Sequence, residues 1–135
     1  MRAQHILSTM FPLLLLCLAV LPGAISTPAY AGGELDGKTF ITDDTEKRDE
    51  LRFADGKFFS VNCDKRGFPW VPYTTTGPGG PLAFAATATS EKHGQMVWTG
   101  VLDGDKLIGK YVWTKKGWFR TKTETKEFSA APLKQ

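Results

Sequence analysis

Two stretches of alternating apolar residues, Met96 to Leu102 and Leu107 to Trp113, face each other across the polar turn Asp103-Gly104-Asp105-Lys106. A two-residue loop at Gly104-Asp105 sets Leu102 opposite Leu107, Gly100 opposite Gly109, Trp98 opposite Tyr111 and Met96 opposite Trp113. A four-residue loop from Asp103 to Lys106 leaves that register unchanged. Slipping it by one residue sets Leu102 against Lys106 and turns each side chain of the strand to the other face. The residues therefore specify an antiparallel hairpin here, in one register.

Three further turns share one form: Ala54-Asp55-Gly56, Lys92-His93-Gly94 and Lys115-Lys116-Gly117. Each fits a three-residue loop with glycine in the left-handed conformation, where it carries no Cβ penalty. The first pairs Leu51 with Phe59; the second pairs Ala88 with Trp98, Ala86 with Gly100 and Phe84 with Leu102. The third pairs Trp113 with Phe119 and Tyr111 with Thr121. The segment Thr42 to Arg52 is nearly all charged and has no apolar stripe for a helix to bury. The expected architecture is all-β, an antiparallel meander of seven or eight strands. Its strands run near Lys38–Thr42, Arg48–Phe53, Lys57–Cys63, Leu82–Glu91, Gln95–Asp103, Lys106–Thr114 and Trp118–Phe128. Closure into a small barrel leaves no free edges and is favoured on that ground, with a β-sandwich as the alternative. The facing glycines Gly100 and Gly109 permit the bend that a barrel wall needs.

The start of the chain follows a different rule. Met1 to Ala31 has a positive end at Arg2, an apolar run from Phe11 to Leu21, and the small-x-small sequence Ala29-Tyr30-Ala31. This pattern reads as a cleaved export signal, with a single barrel domain over residues 32–135 and a periplasmic or secreted product. The apolar run is shorter than the ~20 residues of a membrane helix, so no membrane span is expected. Cys17 follows a row of leucines, which does not fit a lipidation site.

Residues 32–135 carry 16 Lys and Arg against 14 Asp and Glu, with one Cys, Cys63, and one His, His93. That excludes an internal disulfide, a zinc site of several Cys and His, and a polybasic nucleic-acid binder. No cofactor motif is present, and the three serines Ser60, Ser90 and Ser129 are scattered, so no enzyme is expected. The same 104 residues hold 14 aromatics, and these must supply the core that a disulfide would otherwise brace.

Candidate binding residues come from two places. On the three-residue register of the last hairpin, Phe119, Thr121, Thr123 and Thr125 point inward, and the threonines either line a hydrated pocket beside Trp98, Tyr111 and Trp113 or form a row on a half-exposed barrel end. A two-residue loop at Lys115-Lys116 would instead put Arg120 and Lys122 inside, giving an anion-binding interior. The second place is Asp64 to Pro81, read as a long linker whose aromatics Phe68, Trp70 and Tyr73 stand between prolines. It is either a lid or platform for a ligand, or a plug for the barrel end. Cys63 is expected to be a buried, inert thiol, with a reactive one as the alternative. The outer residues Val97, Val101, Ile108 and Val112 call for cover by the N-terminal segment or by a second subunit; a monomer is the favoured reading and a dimer the other.

The opening Leu35-Asp36-Gly37-Lys38-Thr39-Phe40 and the aromatic-rich meander after it resemble the lipocalin-like, calycin-type small barrels of the bacterial envelope. Those proteins open on Gly-x-Trp where this chain has Gly-x-x-Phe. They also place an arginine late in the barrel, which Arg120 matches only on the alternative register. The resemblance implies an interior that binds a small apolar or amphipathic ligand, with Phe68, Trp70, Tyr73, Trp98, Tyr111, Trp113, Phe119 and Thr121 around it. The rival reading is a protein-binding module, such as an inhibitor of a secreted enzyme.

Overall fold

In the computed structural model, which describes residues 29–77 and 79–134, nine strands and one turn of helix form an all-β barrel. The strands are β1 Ala29–Ala31, β2 Thr39–Thr42, β3 Glu50–Ala54, β4 Lys57–Ser60, β5 Val71–Thr76, β6 Ala83–Ser90, β7 Gly94–Asp103, β8 Lys106–Lys116 and β9 Thr121–Pro132. The helical turn α1, Val61–Asp64, lies between β4 and β5. Strands β2 to β9 pair in sequence order, and β9 returns to β2, closing an eight-stranded antiparallel meander. The apolar run Phe11 to Leu21 and Cys17 lie outside the described residues.

Strand β1 stands outside that circuit. The Tyr73 N–H donates to the Gly56 carbonyl while the Tyr73 carbonyl accepts from Gly32, so both contacts lie on one edge of β5. Ala29–Ala31 pairs with Thr74–Thr76 on that edge, continuing where β4 leaves off after Pro72. The Ala-Tyr-Ala motif read as a cleavage site is therefore this extra strand.

The β7–β8 ladder has the register expected from its alternating residues: Met96 with Trp113, Trp98 with Tyr111, Gly100 with Gly109 and Leu102 with Leu107. The β6–β7 ladder keeps the expected inward face but is shifted by two residues, pairing Ala88 with Met96, Ala86 with Trp98 and Phe84 with Gly100. At β3–β4 the expectation is off by one. Asp55 and Gly56 both have positive φ, 52° and 70°, and form a two-residue turn that pairs Leu51 with Ser60 and Phe53 with Phe58. Phe58 consequently faces in and Phe59 out. The segment taken as a linker contains β5, whose alternation buries Tyr73 and Thr75. Pro72 is tolerated because its missing N–H points away from β4, and the β6 ladder starts one residue later, at Tyr73.

Aromatic rings fill the barrel. Phe53 touches Phe40, Phe58, Tyr73 and Phe84 with ring centroids between 5.1 and 6.0 Å, and Trp98 extends the cluster to Phe58, Tyr111 and Phe128. Leu35, buried at 1% exposure, packs into this core from the turn before β2, and Phe68 and Cys63 pack into it from α1 and its following loop. The α1 loop is tied to the end of β6, where the Ser90 hydroxyl donates to the Arg66 carbonyl at 2.7 Å. Ser60 caps α1 through the Cys63 N–H and donates to the Asp49 carboxylate, which also accepts from the Glu50 and Asn62 amides. The Tyr73 hydroxyl accepts from the Leu35 N–H at 3.1 Å and donates to Asp36 at 2.9 Å. Asp36 in turn accepts from the Gly56 N–H at 3.0 Å, so one phenol joins the opening turn to the β3–β4 turn.

Removing the ring at the centre of this cluster leaves a void that four neighbouring rings cannot collapse into. Phe53→Ala is expected to lower unfolding stability by about 3–5 kcal/mol in urea titrations. Val101→Ala on the exposed outer wall should change it by less than about 0.5 kcal/mol.

Burial, reinforced by Asp36, pushes the Tyr73 phenol up to about 12 from an ordinary 10.0. Above pH 10 the unfolded chain therefore loses this proton first, and stability falls as pH rises toward 12. Tyr73→Phe should cost about 1–3 kcal/mol at neutral pH, because the buried Leu35 N–H loses its acceptor. Thermal unfolding followed against pH should show that gap narrowing through the alkaline window.

Candidate functional site

Gly100 and Gly109 face each other across β7 and β8, and neither position has room for a side chain. A Cβ on Gly109 would lie 2.1 Å from the Thr99 carbonyl oxygen and 3.0 Å from the Phe128 ring; one on Gly100 would lie 2.7 Å from Phe84. Only glycines let those two rings lie against the strand backbone. Around this pair, on the wall made by β6 to β9, is a trough of ≈ 800 Å³. Val101 and Ile108, paired across the ladder, stand in it at 41% and 46% exposure. Lys110 and Glu127, directly opposite each other on β8 and β9, belong to the same lining. The trough thus combines an apolar middle with one cation, one anion and the hydroxyls of Thr99 and Ser129. A smaller depression of ≈ 360 Å³ lies at the C-terminal end of β9, between Lys38, Phe40, Leu102, Asp105 and Leu133.

The residues expected to surround an interior ligand are dispersed. Phe68, Tyr73 and Trp98 are core residues with 1–2% exposure. Phe68 packs into the core from the loop after α1. Trp70, 39% exposed, stacks flat on Phe59 on the outer surface, with ring centroids 4.8 Å apart. Tyr111 and Trp113 lie half-buried on the inner side of β8, and the Trp113 Nε1 donates to the His93 carbonyl at 2.6 Å. Phe119 is 93% exposed at the hairpin tip, and Thr121 is exposed at the start of β9.

The last two placements correct the expected register of the last hairpin. The loop is Gly117 to Arg120, closed by the Gly117 N–H donating to the Arg120 carbonyl at 2.9 Å. β8 and β9 pair Gly109 with Phe128 and Leu107 with Ala130, so even-numbered residues of β9 face inward. The reason is burial. The three-residue loop would put threonines on the inner face and leave Phe128 and Ala130 without a place in the core. The same parity brings Lys122, Glu124 and Lys126 to the side of Tyr111 and Trp113, the side that the two-residue alternative reserved for charge. Their cost is small, because β2 pairs only with Ala130–Pro132 and the charged half of β9 stays open to water. Lys126 and Glu124 approach to 3.4 Å, and the Lys122 ammonium lies 5.2 Å from the centre of the Trp113 ring. Burial raises the Tyr111 phenol above its ordinary range, and the nearby Lys126 opposes that shift.

The outer residues Val97 and Val112 are partly buried, but Val101 and Ile108 have no cover among the described residues. The described part of the N-terminal segment lies along β5 and leaves this face open. Sequence reasoning placed Val101 and Ile108 on the outer face but did not join them to Lys110, Glu127 and Ser129. Extending β9 to Pro132 on the Phe128 and Ala130 alternation would have done so. Among the described residues, no group of His, Cys, Asp and Glu is arranged to hold a metal ion. No helix of the described residues is long and apolar enough to cross a membrane. Comparison with protein-family models, with curated proteins and with solved structures found no match.

Cys63 is 8% exposed and its sulfur lies 3.3 Å from that of Met96. Burial raises its pKa, which keeps the thiol protonated and unreactive at neutral pH. Iodoacetamide at neutral pH should leave Cys63 unmodified in the folded protein and label it in denaturant, as read by peptide mass spectrometry.

Proposed function

We propose that this chain is an exported, non-enzymatic β-barrel that holds a small amphipathic molecule in the trough on its outer wall. The supporting observation is the trough itself. Its ≈ 800 Å³ lies within the roughly 300–1,000 Å³ typical of small-molecule sites, and its exposed apolar pair, Val101 and Ile108, sits beside the facing charges of Lys110 and Glu127. A ligand with an apolar body and a single polar or charged head matches that arrangement. The interior is a poorer candidate, because Phe53, Phe58, Tyr73, Phe84 and Trp98 already fill it. Two of the serines are committed to structure, Ser60 to the cap of α1 and Ser90 to the Arg66 carbonyl, which favours binding over catalysis. Export rests on the Met1 to Ala31 pattern, and cleavage after Ala31 would release β1 from its edge of β5. A protein-binding role through the Phe68 to Tyr73 segment has less support, since Trp70 is the one aromatic of that segment left exposed.

Anilinonaphthalene sulfonate, an anionic amphiphile, should bind saturably with enhanced emission and be displaced by decanoate. Ile108→Glu removes apolar contact and adds a charge in the trough, and should weaken both ligands by at least about tenfold. Its melting temperature should stay near that of the parent, because Ile108 is 46% exposed. Equal binding by parent and variant would overturn the assignment. So would elution as a dimer that Ile108→Glu converts to a monomer, which would make the trough a self-association surface.

A further inference from the structure

The most exposed apolar groups of the described residues are not in the trough. Trp118 and Phe119 are adjacent at the tip of the β8–β9 hairpin, each 93% exposed, and their rings lie 6.2 Å apart. Residues 115–122 extend past the ends of both neighbouring strands, since β7 pairs only as far as Thr114 and β2 only as far up as Ala130. The two rings are therefore presented at the end of a projecting ribbon, where water meets them from every side. Burying neither ring would be an expensive arrangement for a tip with no partner.

The charge around them is of one sign. Between Asp105 and Glu124 the chain has six cations, Lys106, Lys110, Lys115, Lys116, Arg120 and Lys122, and no acid. Four of these bracket the aromatic pair, two on β8 and two after the tip. None of those four takes part in the ion pairs found among the described residues. We propose that this tip docks onto an anionic lipid bilayer, with Trp118 and Phe119 entering the interfacial layer and Lys115, Lys116, Arg120 and Lys122 meeting the headgroups.

Two features favour a bilayer over a pocket on another protein. A pocket takes an aromatic anchor from one direction, whereas these rings are free on all sides, and a bilayer interface accepts them so. Trp in particular partitions to the headgroup level, where its ring is buried and its N–H stays wet. Lys116 and Arg120 are exposed on either side of the rings, and Lys115 faces Lys122 across the ladder just below, so the cations lie on both arms of the ribbon. Each such cation near the surface strengthens partitioning roughly fivefold. The docking is peripheral and reversible, and it is independent of whether the trough holds a ligand.

The test uses the full chain with vesicles of brominated phosphatidylcholine, with and without phosphatidylglycerol. Met1 to Ala31 contains no Trp, so bromine quenching reports on the barrel and not on that apolar segment. The contribution of Trp118 is the difference between the parent protein and Trp118→Phe. That contribution should be quenched in vesicles containing phosphatidylglycerol. In Lys116→Glu/Arg120→Glu the vesicle concentration needed should rise by more than about tenfold. Both side chains are exposed, and unchanged circular dichroism will show that the variant is folded. Identical quenching of parent and Trp118→Phe would overturn the proposal, as would charge reversal without effect. A tip that no vesicle quenches, but that one purified protein shields, would overturn it too and assign the tip to protein recognition.

Discussion

The pairing of Gly100 with Gly109 is the constraint on which most of this barrel depends. Because neither residue has a Cβ, the rings of Phe84 and Phe128 can lie against the backbone of β7 and β8 from within. Phe128 opposite Gly109 then decides the parity of β9. Ala130 falls opposite Leu107, and both are fully buried. Above them the same parity sends Lys126, Glu124 and Lys122 to the inner side and the threonines outward. On the opposite face of the wall, Val101 and Ile108 flank the glycine pair in sequence and stand in the trough. Core, charged face and outer trough therefore follow from two residues that lack side chains.

Much of the fold was legible in the sequence because a few pairings are strongly over-determined. Leu102, Gly100, Trp98 and Met96 each find a partner of suitable size across β7 and β8, and no slip preserves all four. Registers failed where the pairing partners were less selective. Ala86 and Ala88 are both small enough to face either Trp98 or Met96, so loop length was the only guide at β6–β7, and the structure uses a shift of two. At β3–β4 the guide was the glycine, but Asp55 also adopts positive φ and shortens the loop by one residue. At β8–β9 the local turn at Gly117 looked decisive, yet the burial of Phe128 and Ala130 some ten residues away outweighed it. Strand β5 was hidden by Pro72, which breaks a pattern without breaking a strand when its missing donor faces no partner.

Segments outside the strands are held by side chains that bond to backbone. Ser60 and Asp49 fix the single turn α1 to β3, Ser90 holds the loop that follows it, and Tyr73 with Asp36 fixes the opening turn. Thr42 contributes to the same system by accepting from the Asp49 N–H at 2.7 Å. These bonds account for how a domain with one cysteine keeps loops at both ends of its barrel in place. No buried side-chain nitrogen or oxygen lacks a partner among the described residues, and Thr75 finds its own in the Glu34 carboxylate. The candidate site was less legible for a related reason. A trough on the outside of a wall depends on which charges share a row with Val101 and Ile108, and that is set only once every register is known.

The upper half of β9 bears on how the two proposed surfaces relate. A strand that runs beyond its neighbour offers free backbone groups to any passing strand, and proteins blunt such edges with charge. Lys122, Glu124 and Lys126 do this while sharing a side with Tyr111 and Trp113, and the alternating threonines keep the outer side polar. The ribbon can therefore project without inviting a second strand, and its tip stays available. Ile108 in the trough and Lys116 beside the tip are on the same strand, eight residues apart. At about 3.3 Å per residue the separation is roughly 25 Å. A bilayer engaged by Trp118 and Phe119 would thus leave the trough in water, well beyond a Debye length of about 8 Å at physiological salt. Surface charge would reach the tip cations but not Lys110 and Glu127, so lipid docking and ligand binding on one hairpin can be separate events.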